Sequence, residues 1–202
     1  MNYLAHLHIA AHTKTSFSGN FLGDFVKGDP DQKFPQAIVE GIRLHRYVDS
    51  FTDKHPQALA AKDLFPQRLR RYAPIALDMF WDHFLASRWS SFHGLTLPAF
   101  CLLAEQTIQL ETQSSEIILP ERFIRINGWV WQDKWLESYQ KVDNIEYALA
   151  RMATRSVKMA PLAETGCILR AHYASLNVIF DVLYEDVLKA SEQFIKAYKK
   201  GD

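Results

Sequence analysis

The chain of 202 residues lacks several features that would assign it to familiar classes of protein. It has only two cysteines, Cys101 and Cys167, which have no metal-type spacing and are too few for a disulfide framework. Such sparse cysteine use fits a reducing cytosol better than secretion. Positive and negative side chains are equal in number, so the total charge indicates neither nucleic acid nor an anionic membrane as a partner.

Long apolar runs and common catalytic motifs are also missing. The first segment, MNYLAHLHIAAHTK, has no basic leader and carries three histidines, so we predict neither a signal peptide nor a membrane span. The sequence contains no GxxxxGK[ST], GxGxxG, GxSxG or HExxH pattern and no CxxCH for attaching haem. Because no stretch alternates with period two and no repeat occurs, we predict an all-α helical bundle. The length is typical of one domain, residues 1–202.

The clearest positive signal is a helical pattern over residues 41–56, GIRLHRYVDSFTDKHP. Leu44 and Val48 belong to a buried stripe with the spacing of one helical face. His45 and Asp49 fall together on the flank of that stripe, one turn apart, as two ligands of one cation would. A His and an Asp at this spacing are also an ordinary helix-stabilising pair, so this stretch alone leaves both interpretations open.

Apolar periodicity, caps and breakers predict the other helices. Ser18, at the end of a polar loop over residues 13–19, is a candidate cap for the second helix. Residues 122–139 are rich in Trp and predict an aromatic packing surface, and Pro161 indicates a loop over residues 156–166. The predicted helices cover residues 3–12, 20–27, 35–53, a short segment ending at 64, then 75–86, 98–111, 144–152 and 168–199.

Two of these helices carry carboxylates among apolar residues. Asp24 lies within NFLGDFVK, which is apolar on nearly all its other sides, so we predict that Asp24 is buried. The helix over residues 75–86, IALDMFWDHFLA, is apolar around its circumference and carries Asp78, Asp82 and His83. An unpaired buried carboxylate costs several kcal/mol, so these groups require cations, a metal or hydrogen-bond donors.

The first 83 residues concentrate titratable side chains on apolar helices. Each one alone is explained by a cap or a core hydrogen bond, but their concentration predicts a metal site. Histidine and aspartate without cysteine favour Mn²⁺, Fe²⁺, Mg²⁺ or Zn²⁺ over a thiolate zinc site. Such a cation polarises a phosphoryl oxygen and lowers the pKa of bound water, which predicts phosphoester hydrolysis. The candidate residues are His6, His8, Asp24, His45, Asp49, Asp78, Asp82 and His83.

Four stretches in this order resemble the acyl carrier protein phosphodiesterase family: MNYLAHLHIA, SGNFLGDFVKG, HRYVDSFTDKHP and LDMFWDHFLASRW. The resemblance is strongest over about residues 1–90 and continues more thinly to the C-terminus. It implies a cytosolic, Mn²⁺-dependent enzyme that removes 4′-phosphopantetheine from a serine of holo-acyl carrier protein. It also implies a rearranged member of the HD phosphatase/phosphodiesterase superfamily, although the adjacent His-Asp pair of that superfamily occurs here only reversed, as Asp82-His83.

The resemblance also implies roles for individual residues. Metal ligation falls to Asp24, His45, Asp49 and Asp82, with Asp78 and His83 as ligands or as hydrogen-bond partners of ligands. His6 and His8 would contact phosphate or act as acid–base groups. One of them, His83 or the metal itself would neutralise the serine oxygen that leaves. Because carrier proteins are acidic, we predict a basic docking surface at Arg43, Arg46, Arg68, Arg70 and Arg71, with a merely solvated helix face as the alternative.

Two other functions remain compatible with the residues. One is an HD-type phosphohydrolase that uses the same ligands on a nucleotide or another small phosphoester. The other is a noncatalytic helical protein that binds haem or a partner through its histidines and aromatic side chains. Cleavage of small nucleotides but not of holo-carrier protein distinguishes the first, and stability unchanged by Mn²⁺ distinguishes the second.

Overall fold

A computed structural model describes residues 1–113 and 117–201. These residues form α-helices joined by turns and short 3₁₀ helices, with no β-strand among them, which confirms the all-α prediction. The 3₁₀ helices span Arg70–Tyr72, Trp89–Ser91 and Val157–Thr165. The α-helices are α1 (Tyr3–Thr13), α2 (Phe17–Leu22), α3 (Gln36–Lys54), α4 (Pro56–Asp63), α5 (Ala73–Ser87), α6 (Leu97–Thr112), α7 (Glu121–Gln132), α8 (Trp135–Ser138), α9 (Val142–Ala153), α10 (Gly166–Ala171) and α11 (Tyr173–Tyr198).

The predicted bounds of the second helix are wrong. The helix α2 begins and ends about one turn earlier than predicted, because Ser16 and not Ser18 caps it. The hydroxyl oxygen of Ser16 accepts a hydrogen bond from the backbone N–H of Gly19 at 2.9 Å. Two further differences lie near the C-terminus, where the predicted loop over 156–166 is largely a 3₁₀ helix and His172 divides the predicted last helix into α10 and α11.

The helix α5 lies at the centre of the hydrophobic core, as its apolar circumference predicts. Its side chains are buried on almost every side, and Trp81 and Phe84 are fully buried. Helices α1, α4, α9 and α11 pack around it. No helix in the described part of the chain is both long enough and apolar enough to cross a membrane.

The helices α2 and α3 cross with their backbones in contact. A Cβ atom at Gly19 would lie 2.4 Å from the carbonyl oxygen of Ile38, and one at Gly41 would lie 2.8 Å from the Cα of Gly19. Both distances are shorter than van der Waals contact, so the crossing requires glycine at both positions. This close approach brings the backbone of Asn20 against the side chain of His45.

Candidate metal centre

Two imidazoles and one carboxylate converge where α1 meets α3. His6 projects from the first turn of α1, and His45 and Asp49 lie one turn apart on α3. Nε2 of His6 is 3.1 Å from Oδ1 of Asp49, and Nε2 of His45 is 3.1 Å from Oδ2 of the same carboxylate. One ligand atom from each residue lies within 4.8 Å of the others, so a single cation can bind all three.

His45 is oriented so that its Nε2 faces the carboxylates. Its Nδ1 is 2.8 Å from the backbone carbonyl oxygen of Asn20. Because a carbonyl oxygen only accepts, Nδ1 carries the hydrogen and donates it, and Nε2 faces the carboxylates. A Cβ atom at Gly23 would lie 2.2 Å from the His45 ring, so glycine at this position makes room for the imidazole.

His6 is buried with one ring nitrogen uncommitted. Its ring stacks on that of His45 with the centroids 3.8 Å apart, and its Nδ1 has no hydrogen-bond partner within the described residues. Burial and the neighbouring charge of His45 lower the pKa of His6 to about 4. His6 is therefore neutral near pH 7, which is the form in which an imidazole binds a metal.

The carboxylates of the cluster reach the surface, whereas the imidazoles behind them do not. The side chains of Asp24 and Asp49 are 44% and 39% exposed, against 1% for His6 and 3% for His45. The prediction that Asp24 is buried is wrong, because α2 ends at Leu22 and the following turn carries Asp24 outward. Oδ1 of Asp24 remains 3.6 Å from Nε2 of His45, at the solvent edge of the cluster.

The electrostatics of the cluster favour a bound cation. Burial alone would lower the pKa of His45, but the adjacent carboxylates of Asp24 and Asp49 outweigh burial and raise this pKa to about 9. Burial would likewise raise the pKa of Asp49, yet the neighbouring ring of His6 and the hydrogen bonds from His45 and His6 hold it well below its usual range. The carboxylates thus retain a proton on His45. Two imidazoles with carboxylates fit a borderline divalent cation, which would take the place of that proton.

Asp78 lies next to the cluster but has a partner of its own. Its Oδ1 accepts a hydrogen bond from the amino group of Met1 at 2.7 Å. The same amino group is 3.5 Å from Oδ1 of Asp49. Asp78 is therefore connected to the cluster through Met1, and it is not among the residues whose ligand atoms converge.

Asp82 caps the helix that carries His6. It is fully buried, and its two oxygens accept the backbone N–H groups of Leu4 at 2.8 Å and Ala5 at 3.0 Å. These are donors of the first turn of α1, which have no partner within the helix. The hydrogen bonds commit both oxygens of Asp82 to holding α1, and through α1 to placing His6.

The structure does not bring His8 and His83 to the cluster. Each ring donates to a backbone carbonyl oxygen and accepts from a tyrosine hydroxyl, so both nitrogens of each ring have partners. For His8 the distances are 3.2 Å to the carbonyl of Phe92 and 2.7 Å to the hydroxyl of Tyr184. For His83 they are 2.8 Å to the carbonyl of Tyr139 and 2.9 Å to the hydroxyl of Tyr173.

The arginines that the sequence predicts for carrier docking are engaged locally. Three form ion pairs, one donates to a backbone carbonyl, and one lies over an aromatic ring, so none is held by the cluster itself. The contacts are Arg43 with Asp29 at 3.3 Å and Asp31 at 2.7 Å, Arg68 with Glu164 at 2.6 Å, Arg70 with Asp63 at 3.4 Å, Arg46 with the carbonyl of Val26 at 2.7 Å, and Arg71 at 5.0 Å from the ring centroid of Tyr72.

Sequence reasoning missed the small residues that shape the cluster. Gly19 and Gly41 set the crossing of α2 with α3, Gly23 leaves space for the ring of His45, and the carbonyl of Asn20 orients that ring. One available signal is the spacing of Gly19 and Gly23, a helical turn apart in SGNFLGDF, which is typical of a backbone that another element approaches closely.

Comparison with known proteins finds relatives over most of the chain. A family model described as "Acyl carrier protein phosphodiesterase" matches residues 1–187. A protein of that name from Escherichia coli O157:H7 strain EC4115 is 40% identical over 186 residues, which cover 91% of this chain and 94% of the relative. One from Escherichia coli O6:H1 strain CFT073 is 38% identical over 96% of this chain and 98% of the relative, and one from Shigella boydii serotype 18 is 39% identical over 91% and 94%.

No solved structure matches the chain. The family match and the relatives agree, and each covers nearly the whole length of the chain. The chain therefore belongs to the acyl carrier protein phosphodiesterase family.

Proposed function

We propose that this protein hydrolyses the phosphodiester that joins 4′-phosphopantetheine to a serine of holo-acyl carrier protein. Membership of the family supports this substrate, because the relatives are named for it. The observation that supports the chemistry is the convergence of His6, His45 and Asp49, with the carboxylate side open to solvent. A divalent cation bound there would polarise a phosphoryl oxygen and activate water.

The residues of the cluster take separate roles in this proposal. Nε2 of His6, Nε2 of His45 and the carboxylate of Asp49 would hold the cation. The exposed carboxylate of Asp24 accepts a hydrogen bond from the attacking water and orients it toward phosphorus. As the water oxygen bonds to phosphorus, the bond to the serine oxygen breaks. The proton that the water loses balances the one that the serine gains, and the products are apo-carrier protein and 4′-phosphopantetheine.

Finer features belong to the same proposal. We take Mn²⁺ as the cation, residues 1–202 as one domain, and the fold as a rearranged HD type. Mixed imidazole and carboxylate donors support the metal, and a shared hydrophobic core supports the single domain. Two free cysteines support a cytoplasmic location, and the balanced charge supports a protein partner over nucleic acid or membrane.

The test is the mass of purified holo-acyl carrier protein after incubation with this protein, with Mn²⁺ or with a chelator. We expect loss of the phosphopantetheine mass with Mn²⁺ only. Asp49→Ala should slow this loss by at least about a hundredfold, because even partners of metal ligands contribute ten- to hundredfold. Asp186→Ala is the matched control, since Asp186 also pairs with a histidine, His55 at 3.3 Å, but lies outside the cluster.

An unchanged carrier mass with correctly folded wild-type protein would contradict the proposed function. Mn²⁺-dependent cleavage of nucleotides in the same preparation would then assign the cluster to a phosphohydrolase of small phosphoesters.

A further inference from the structure

The N-terminus of α2 is held by a carboxylate from a distant part of the chain. Glu111 lies in the last turn of α6, 95 residues after Ser16. Its Oε2 accepts hydrogen bonds from the hydroxyl of Ser16 at 2.8 Å and from the backbone N–H of Ser18 at 2.7 Å. The hydroxyl oxygen of Ser16 in turn accepts the backbone N–H of Gly19 at 2.9 Å. One oxygen of Glu111 therefore fixes the cap of α2 and a donor of its first turn.

This carboxylate is committed to α2 alone. Among the residues that the structure describes, no lysine, arginine or histidine forms an ion pair with Glu111. The side chain of Glu111 is half-buried, and Ser16 and Ser18 are buried. A hydrogen bond to a charged acceptor is roughly twice as strong as one between neutral groups. The start of α2 is therefore attached to α6 through its two strongest polar contacts.

The segment that Glu111 holds also orients the ring of His45. The backbone carbonyl of Asn20, on α2, accepts from Nδ1 of His45 at 2.8 Å. Gly23, which ends α2, leaves the space that the ring occupies, since a Cβ atom there would lie 2.2 Å from it. Asn20 is tied back to the cap, because its backbone N–H and its side-chain amide donate to the carbonyl of Ser16 at 3.1 Å and 2.9 Å. A displaced α2 would therefore move both the acceptor and the space.

The crossing of α2 with α3 leaves little room to absorb such a displacement. The two backbones are in contact at Gly19 and Gly41, and a Cβ atom at Gly19 would already lie 2.4 Å from the carbonyl oxygen of Ile38. Because α2 cannot move closer to α3, a loosened α2 moves away from it. Such a movement lengthens the hydrogen bond between Asn20 and His45.

We propose that Glu111 is a positioning residue of the metal cluster: its carboxylate holds α2, and α2 places Nε2 of His45 for the cation. This inference rests on the metal site of the proposed function and extends that site to α6. Glu111 itself is not among the residues whose ligand atoms converge, so it acts through Asn20 and His45.

The experiment compares Glu111→Ala and Glu111→Gln with wild type in two measurements. The first is the ¹⁵N chemical shifts of the histidine rings in metal-free protein, and the second is calorimetric titration with Mn²⁺. We expect Glu111→Ala to shift the ring signals of His45 and to weaken Mn²⁺ binding about tenfold, the lower end of the effect seen for partners of ligands. Glu111→Gln keeps an oxygen that accepts from Ser16 or Ser18, so it should restore most of the affinity.

Two controls separate positioning from a general loss of stability. Glu105→Ala removes an exposed carboxylate of the same helix that has no hydrogen bond within the described residues, so it should behave as wild type. His83 serves within each variant, because its Nδ1 also donates to a backbone carbonyl, that of Tyr139 at 2.8 Å, but not to one on α2. The ring signals of His83 should stay in place in Glu111→Ala. Glu111→Asp, whose carboxylate is one methylene shorter, repeats the test with a milder change.

A lower melting temperature in Glu111→Ala with the His45 signals and the Mn²⁺ affinity of wild type would overturn the inference, because the cap would then be structural only. Equal shifts of the His45 and His83 signals would overturn it as well. A wild type without affinity for Mn²⁺ would contradict the metal site and this inference together. An unchanged carrier mass alone would contradict the proposed function and leave the inference standing.

Discussion

Four histidines of this protein are equally buried but belong to two different environments. His6, His8, His45 and His83 are each exposed by 3% or less. His6 and His45 face the carboxylate of Asp49, whereas His8 and His83 are each held between a tyrosine hydroxyl and a backbone carbonyl. Burial therefore does not separate a candidate ligand from a structural histidine. What separates them is whether a ring nitrogen faces carboxylates or is fully paired with neutral groups.

The largest expected effect is on Mn²⁺ binding by the first pair, His6 and His45. His45→Ala removes a candidate ligand and the ring that bridges Asp24 and Asp49, so Mn²⁺ binding should weaken at least about a hundredfold. Calorimetric titration with Mn²⁺ measures this directly. If His45→Ala binds Mn²⁺ as tightly as wild type, the metal binds elsewhere. The distinction between candidate ligands and structural histidines then fails.

A subtler change tests whether the position of the ring matters as much as its presence. Gly23→Ala places a Cβ atom 2.2 Å from the His45 ring, so the imidazole must move. We expect Mn²⁺ affinity and kcat/KM to fall about ten- to hundredfold, as they do when the groups that orient a ligand are disturbed. Gly128→Ala is the control, because a Cβ there meets nothing within 4 Å. Equal behaviour of the two variants would show that the ring tolerates displacement.

Substitution in the second pair, His8 and His83, should lower the stability of the protein and leave its metal binding unchanged. His83→Ala leaves the buried carbonyl of Tyr139 without its partner, which costs about 1–3 kcal/mol for a buried polar group. Denaturant unfolding measures the loss, and Mn²⁺ affinity of the folded variant should match wild type. A weakened Mn²⁺ affinity would instead indicate that His83 takes part in metal binding.

The smallest effect is expected at the surface arginines. Arg68 forms an exposed ion pair with Glu164, so Arg68→Gln should change the free energy of unfolding by less than about 1 kcal/mol. We expect kcat/KM for holo-carrier protein to stay within about twofold of wild type, because an ion-paired side chain offers little free charge to a partner. A strong salt-dependent fall in kcat/KM would instead support the predicted docking surface.

The spacing of residues in the sequence was sufficient to predict the part of the site that lies on one helix. His45 and Asp49 are four residues apart, and that separation alone places them on one face of α3. The apolar circumference of α5 was equally sufficient for its central position. In both cases the decisive information lies within a few turns of helix.

The remaining residues depend on contacts that sequence spacing does not contain. Asp82 was predicted as a ligand, but it accepts the N–H groups of Leu4 and Ala5, which are distant in the chain. Asp24 was predicted to be buried, but Ser16 sets an earlier start for α2 and leaves Asp24 beyond its end. His6 was predicted as a phosphate or acid–base group, and only the tertiary structure shows that it meets Asp49.

The cap on α1 has a consequence for the order in which the protein matures. The oxygens of Asp82 meet N–H groups 78 and 77 residues earlier in the chain. A nascent chain that ends before α5 carries His6 on an uncapped helix of 11 residues, which is too short to persist alone in water. The convergence of His6 with His45 and Asp49 therefore has to wait until the central helix has been synthesised.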